Sequence, residues 1–144
     1  MQDNRSILIV EDNPMDLDLT LRAFAARKLT NLIEVARDGQ AVLDMIARWE
    51  AGAAPPLVIL LDVHLPKVDG LEVLRQLRAH PEFGTIPVVM LTTSAEHGDV
   101  HTAYKLGVNS YIVKPVDFEK FRAVAEQIDL YWMVVNRPPG VTSR

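Results

Sequence analysis

Five side chains able to do chemistry follow directly on short apolar runs. Glu11 and Asp12 come after residues 7–10, Asp62 after residues 57–61, Thr92 after residues 88–91, and Lys114 after residues 111–113. Unbroken apolar runs of this length suit strands buried on both faces of a parallel sheet. In such an open α/β sheet, ligands bind in the crevice outside the carboxyl ends of the strands. Four strands are therefore expected to deliver three carboxylates, a hydroxyl and an ammonium to one place.

Three carboxylates packed together repel one another unless a cation offsets them. Mg²⁺ takes oxygen ligands, keeps several waters, and is commonly held by one or two carboxylates plus a phosphate, which suits this set better than an all-protein calcium cage. Zinc is disfavoured, because His64 is the one histidine near these acids and the chain has no cysteine. With a metal present, an Asp carboxylate can attack phosphorus in line to give an aspartyl phosphate, and Asp62 is the candidate nucleophile. The transferred group spreads negative charge over its oxygens, which Mg²⁺ meets on one side and Lys114 and Thr92 on the other. Taken singly, each acid reads as a loop acid or helix cap; their convergence is what points to a site. His97 and His101 stand four apart but lack a third ligand, so they read as solvated surface.

The elements that must position these groups alternate as βα units. Residues 32–36, interrupted by Glu34, read as a strand nearer an edge. Asn13 and Pro14 start a helix with Leu17, Leu21, Phe24 and Ala25 on its inner face. Asp38 caps a second helix with Val42, Met45, Ile46 and Trp49 inward, ending in the loop 51–56. Asp69 and Gly70 open a third, with Leu71, Leu74 and Leu77 inward before His80 and Pro81, where His80 reads as a loop residue. A fourth spans about 95–106 and stops at Gly107, a left-handed cap. Asp117 caps a fifth, whose Phe121, Val124, Ala125, Ile128, Trp132 and Val135 keep the helical period until Pro138 and Pro139. A helix over 117–136 would be about 30 Å long against about 17 Å for a five-residue strand, so its last turns overhang the sheet. Residues 130–135 are apolar all round that overhang, which predicts a homodimer through this helix, the competing expectation being that it folds back on the core.

Composition bounds the rest. A chain of 144 residues, 49% hydrophobic and 24% charged, has the size and mixture of one globular domain. The expected organisation is a tail over 1–5, a domain over 6–136 and a tail over 137–144, too short for an output domain. A formal charge of −4 argues against a sequence-independent grip on nucleic acid. The lack of cysteine excludes disulfides, thiolate zinc sites and cysteine nucleophiles, and is compatible with a reducing compartment. No apolar run approaches the roughly 20 residues of a membrane span, and the polar start carries no targeting segment, so a cytoplasmic protein without membrane contact is expected.

Four segments carry a resemblance: residues 7–12 (ILIVED), 60–70 (LLDVHLPKVDG), 91–94 (LTTS) and 111–115 (YIVKP). In this order and spacing they resemble the response regulator receiver domain (CheY-like) of bacterial two-component signalling, over about residues 6–130. The resemblance implies a flavodoxin-like (βα)5 doubly wound sandwich with a five-stranded parallel sheet in the order 2-1-3-4-5. It implies that Asp12 and Asp62 contact Mg²⁺, that Glu11 holds a metal-bound water, and that His64 adds its backbone carbonyl. Asp62 then receives the phosphoryl group from the phosphohistidine of a sensor histidine kinase, Thr92 is the switch hydroxyl, Tyr111 the switch aromatic, and Lys114 the phosphoryl-binding ammonium before a cis Pro115. By itself Tyr111 reads as a core or sheet-edge aromatic. Residues 80–87 (HPEFGTIP), 91–94 and Tyr131-Trp132 are similar to stand-alone regulators paired with bacterial phytochromes. Departures are Glu11, where Asp is commoner, and His64, two residues after Asp62 and able to alter attack by water.

Three other functions compete. An aspartyl-phosphate phosphatase resembling the haloacid dehalogenase group would want a second acid at position 64, which is histidine. A nucleotide- or flavin-binding module would want a glycine-rich cradle where Glu11-Asp12-Asn13-Pro14 stands. The third is a receiver-like scaffold never phosphorylated. The leading reading is a switch that catalyses its own modification, turns over no separate substrate, and acts through protein contact.

Overall fold

The computed structural model of the chain describes residues 5–26, 32–92, 97–113 and 126. Within them, strands β1 (Ile7–Val10), β2 (Ile33–Ala36), β3 (Val58–Leu61), β4 (Val88–Thr92) and β5 (Ser110–Val113) alternate with helices α1 (Pro14–Ala26), α2 (Gly39–Glu50), α3 (Gly70–Ala79) and α4 (His97–Lys105). Every pairing is parallel and the order across the sheet is β2-β1-β3-β4-β5, the expected flavodoxin-like arrangement, with β2 at an edge. Of the expected fifth helix only Glu126, helical and exposed, is described; the rest of it and its apolar end lie outside the described residues.

Both faces of the central strands are covered, which is why they read as unbroken apolar runs. Ile7, Ile9, Val58, Leu60 and Val89 face α1, where Leu17 and Phe24 meet them. Leu8, Val10, Ile59, Leu61, Val88 and Met90 face the other way, beneath α2, α3 and Ala103 of α4. Each such aliphatic side chain, fully buried, stabilises the fold by about 1.5–3 kcal/mol relative to exposure.

Local chemistry starts the helices where the sequence places them. The Asn13 Oδ1 accepts the N–H groups of Met15 (2.9 Å) and Asp16 (3.1 Å), and Pro14 occupies the first helical position. The Asp38 Oδ1 accepts the Ala41 N–H at 2.7 Å. In α3 the buried stripe is Gly70, Val73, Leu74 and Leu77, while the expected Leu71 is only partly buried. The stripe keeps helical spacing but starts at Gly70, because that glycine itself packs on the end of β3. Gly107 follows α4 with φ of 85°, the left-handed stop expected.

Two side chains tie down the far end of the sheet. His80 is not a plain loop residue: its Nδ1 accepts the N–H groups of Glu82 (3.0 Å) and Phe83 (3.1 Å), and its Nε2 lies 2.8 Å from the Glu50 carboxylate. Its ring stacks on Phe83, which meets Trp49 edge-on. Arg78 donates from Nη1 to the carbonyls of Gly84 (3.1 Å) and Ile86 (2.7 Å), and from Nε and Nη2 to that of Gly107 (3.2 and 3.0 Å). Burial pushes the Arg78 pKa down, and no carboxylate pairs with it among the described residues. No helix there is long and apolar enough to cross a membrane.

Candidate functional site

Val10 and Leu61 are register partners on neighbouring strands, so Glu11 and Asp62 leave the sheet side by side. The Asp62 N–H donates to Val10 O (3.2 Å) and the Glu11 N–H to Ala36 O (3.0 Å), which fixes both backbones against the sheet's carboxyl end. One carboxylate oxygen from each of Glu11, Asp12 and Asp62 lies within 4.8 Å of the others. Glu11 and Asp62 are 4% and 6% exposed, whereas Asp12 opens to water.

Backbone amides orient the two buried acids. The Glu11 carboxylate accepts the Asn13 N–H at 3.2 Å, so the acidic pair and the α1 cap share one turn. The Asp62 Oδ1 accepts the His64 N–H at 3.2 Å. At an effective dielectric of about 20, two buried unit charges 4.8 Å apart repel by about 3 kcal/mol. A divalent cation reverses the sign of that balance. Three oxygen donors, two sequestered and one wet, fit a hard ion that keeps part of its water shell. The group of candidate ligands found among the described residues is Glu11, Asp12 and Asp62, all oxygen donors.

Thr92 ends β4 fully buried, opposite Val113 of β5. Tyr111, two residues before Val113, is half-buried and packs on the core cluster that includes Ala103 of α4. The His64 ring is exposed, with Nε2 4.0 Å from Asp99 Oδ2 in the first turn of α4. Lys114 and Pro115 lie outside the described residues. The structure thus brings Glu11, Asp12 and Asp62 together and sets Thr92 on the adjacent strand end.

Close packing under Asp62 escaped the sequence reading. The Gly70 N–H donates to Val63 O at 2.7 Å, and a Cβ on Gly70 would fall 1.9 Å from the Asp62 carbonyl oxygen. Asp69-Gly70 ahead of a helical stripe signals a helix start, but nothing in that pair says that the glycine abuts the end of β3.

Residues 7–126 match the response regulator receiver domain family. The probable methanogenesis regulatory protein FilR2 of Methanothrix harundinacea is 46% identical over 135 residues, covering 93% of this chain and 87% of the relative. Response regulator Rcp1 of Synechocystis sp. is 35% identical over 130 residues, 88% of each chain. The structure of its Mn²⁺-bound form has a TM-score of 0.77 at 32% identity, covering 97% of this chain and 99% of that one. The bacteriophytochrome response regulator RtBRR has a TM-score of 0.78 at 48% identity, covering 96% of this chain and 86% of that one. With the strand order, the acid cluster and these likenesses in agreement, the chain belongs to the response regulator receiver domain family of two-component signalling.

Proposed function

We propose that this receiver domain is a Mg²⁺-dependent phosphoacceptor that takes a phosphoryl group on Asp62 from a sensor histidine kinase. The observation that carries the reading is the convergence of Glu11, Asp12 and Asp62 at one end of the sheet. Glu11, Asp12 and Asp62, with the His64 backbone carbonyl, would hold the ion. When bound, Mg²⁺ supplies positive charge against the phosphoryl oxygens.

The chain's own groups do the rest. The Asp62 carboxylate, oriented by the His64 N–H, attacks the phosphorus of a kinase phosphohistidine. An O–P bond forms as the P–N bond breaks, and the imidazole leaves with that electron pair and takes up a proton. The Thr92 hydroxyl and Lys114 ammonium take phosphoryl oxygens. The adduct adds about −1.5 to −2 charge. Thr92, drawn toward it, vacates space into which Tyr111 turns from its half-buried position. Water attacking the acyl phosphate resets the switch, and His64, two residues after Asp62 with an exposed ring, alters that attack. The protein turns over no separate substrate and acts in the cytoplasm through protein contact, as a receiver over 6–136 with a tail at each end and as a homodimer through its C-terminal helix. The likeness to the bacteriophytochrome response regulator RtBRR supports a bacterial phytochrome as the kinase.

Phosphotransfer tests this. A sensor histidine kinase phosphorylated with labelled phosphate should pass label to the wild-type chain in Mg²⁺, and to neither Asp62→Ala nor the wild type in excess chelator. Label retained by Asp62→Ala contradicts the assignment.

A further inference from the structure

The loop that carries Asp62 is stitched on its far side to the start of α2. It turns sharply where the Val68 N–H donates to Pro66 O at 2.8 Å, and Lys67 between them has φ of 70°. A bond from residue i+2 back to residue i, about a centre with φ near +75°, is the rare and strained form of γ-turn. Strain of this kind persists only where the surroundings over-determine it. Three contacts from the β2–α2 turn do so. The Gly39 N–H donates to Pro66 O at 3.2 Å. Gly39 lies so close that an added Cβ would be 1.9 Å from Val68 O. The Asp38 Oδ2 lies 3.5 Å from the Lys67 Nζ. Asp38 is held in turn, since its Oδ1 caps α2 on the Ala41 N–H.

We propose that Asp38 and Lys67 are positioning residues for the acid site: their ion pair clips the strained turn of the Asp62 loop to α2, and so holds Asp62 and His64 in the arrangement that binds Mg²⁺. The inference rests on the reading of Asp62 as metal ligand and phosphoacceptor. The route is short. At its other end the loop closes through Gly70, whose N–H bonds Val63 O and whose Cα abuts the Asp62 carbonyl, so a shift of its middle is passed to Asp62.

The sign of one substitution separates positioning from charge. Lys67 is a cation on the loop of an acidic site, so by electrostatics alone Lys67→Gly makes the site more negative and tightens Mg²⁺ binding. If the clip matters, binding loosens instead. Glycine accepts φ of 70° freely, and Asp38→Asn keeps a capping oxygen while removing the charge. Both variants should therefore melt within about 3 °C of wild type.

The experiment uses the full chain as wild type, Lys67→Gly, Asp38→Asn and Lys67→Arg. It measures the Mg²⁺ Kd by calorimetry, and melting and amide exchange at Gly39 and Val68 without metal. Exposed ion pairs are worth up to about fivefold in an equilibrium constant and the loosened turn adds to that, so Kd should rise about three- to tenfold in Lys67→Gly and Asp38→Asn. Both amides should exchange faster without metal, and Lys67→Arg should stay near wild type. Unchanged or tighter binding by Lys67→Gly overturns the positioning role and leaves the phosphoacceptor reading standing. A wild type that binds no Mg²⁺ overturns that reading, and this inference with it.

Discussion

Gly70→Ala puts a Cβ 1.9 Å from the Asp62 carbonyl oxygen and 2.9 Å from the Val63 Cα. Real Cβ contacts do not fall below 3.0 Å, so α3 and the end of β3 must part by about 1 Å. Neither side yields as a flexible side chain would, because both are backbone. Overpacking of this kind costs about 1–3 kcal/mol. The better helix propensity of alanine returns somewhat under 1 kcal/mol at this first helical position. The net loss, up to about 2 kcal/mol, lowers the melting temperature by up to about 8 °C and leaves the domain folded. The chemistry should suffer more, because a misplacement of about 1 Å in a reacting group costs on the order of 100-fold in rate. Melting by circular dichroism, paired with the rate of uptake from a small phosphodonor in saturating Mg²⁺, reads both. A phosphorylation rate within about threefold of wild type would refute the claim that Gly70 sets the position of Asp62.

Other substitutions probe separate parts of the account. Asp12→Asn removes the exposed carboxylate of the cluster and should weaken Mg²⁺ binding by about tenfold or more with little change in melting, read by calorimetry; equal affinity would remove Asp12 from the ligand set. Arg78→Met deletes four bonds to three backbone carbonyls, and a long one to the Asn109 Oδ1, at the opposite end of the sheet. After discounting for the partly exposed carbonyls and the desolvated cation, it should cost about 2–3 kcal/mol by urea unfolding while the Mg²⁺ Kd stays within about twofold. A coupled loss of metal binding would contradict the separation of the two ends. The exposed Glu72 carboxyl titrates below the usual carboxylate range because Arg75 and then Gln76 hydrogen-bond to it. Its folded-state pKa is depressed, so its small stabilisation is present above the unfolded value and fades as pH falls through the folded one. Arg75→Ala should raise the Glu72 midpoint followed by carboxyl NMR, and an unmoved midpoint would reject the pairing.

The fold was legible because the strands are covered on both faces and the helices carry explicit starts. Unbroken apolar runs marked β1, β3 and β4, and Asn13, Pro14 and Asp38 marked where α1 and α2 begin, as the cap hydrogen bonds bear out. The acid cluster was legible for a related reason: in a parallel sheet, strand ends share one edge, so an acid after each run predicts a meeting point. Contacts made by backbone left no such trace. Leu71 reads as a core residue because leucines recur at helical spacing from it, whereas the first buried member of the α3 stripe is Gly70. His80 and Arg78 act on residues up to about thirty positions away, and no local pattern announces such partners. The Lys67 turn likewise depends on Asp38 and Gly39, distant in sequence and adjacent only once β2 and β3 flank β1.

The central claim is that Asp62 accepts a phosphoryl group within a metal-binding acid cluster. Intact-mass measurement after incubation with Mg²⁺ and a small phosphodonor tests it most directly. The wild type should gain one phosphoryl mass that is labile to hydroxylamine, as an acyl phosphate is, while Asp62→Ala and wild type with excess chelator should gain none. An unchanged wild-type mass, or an equal adduct on Asp62→Ala, would contradict the account.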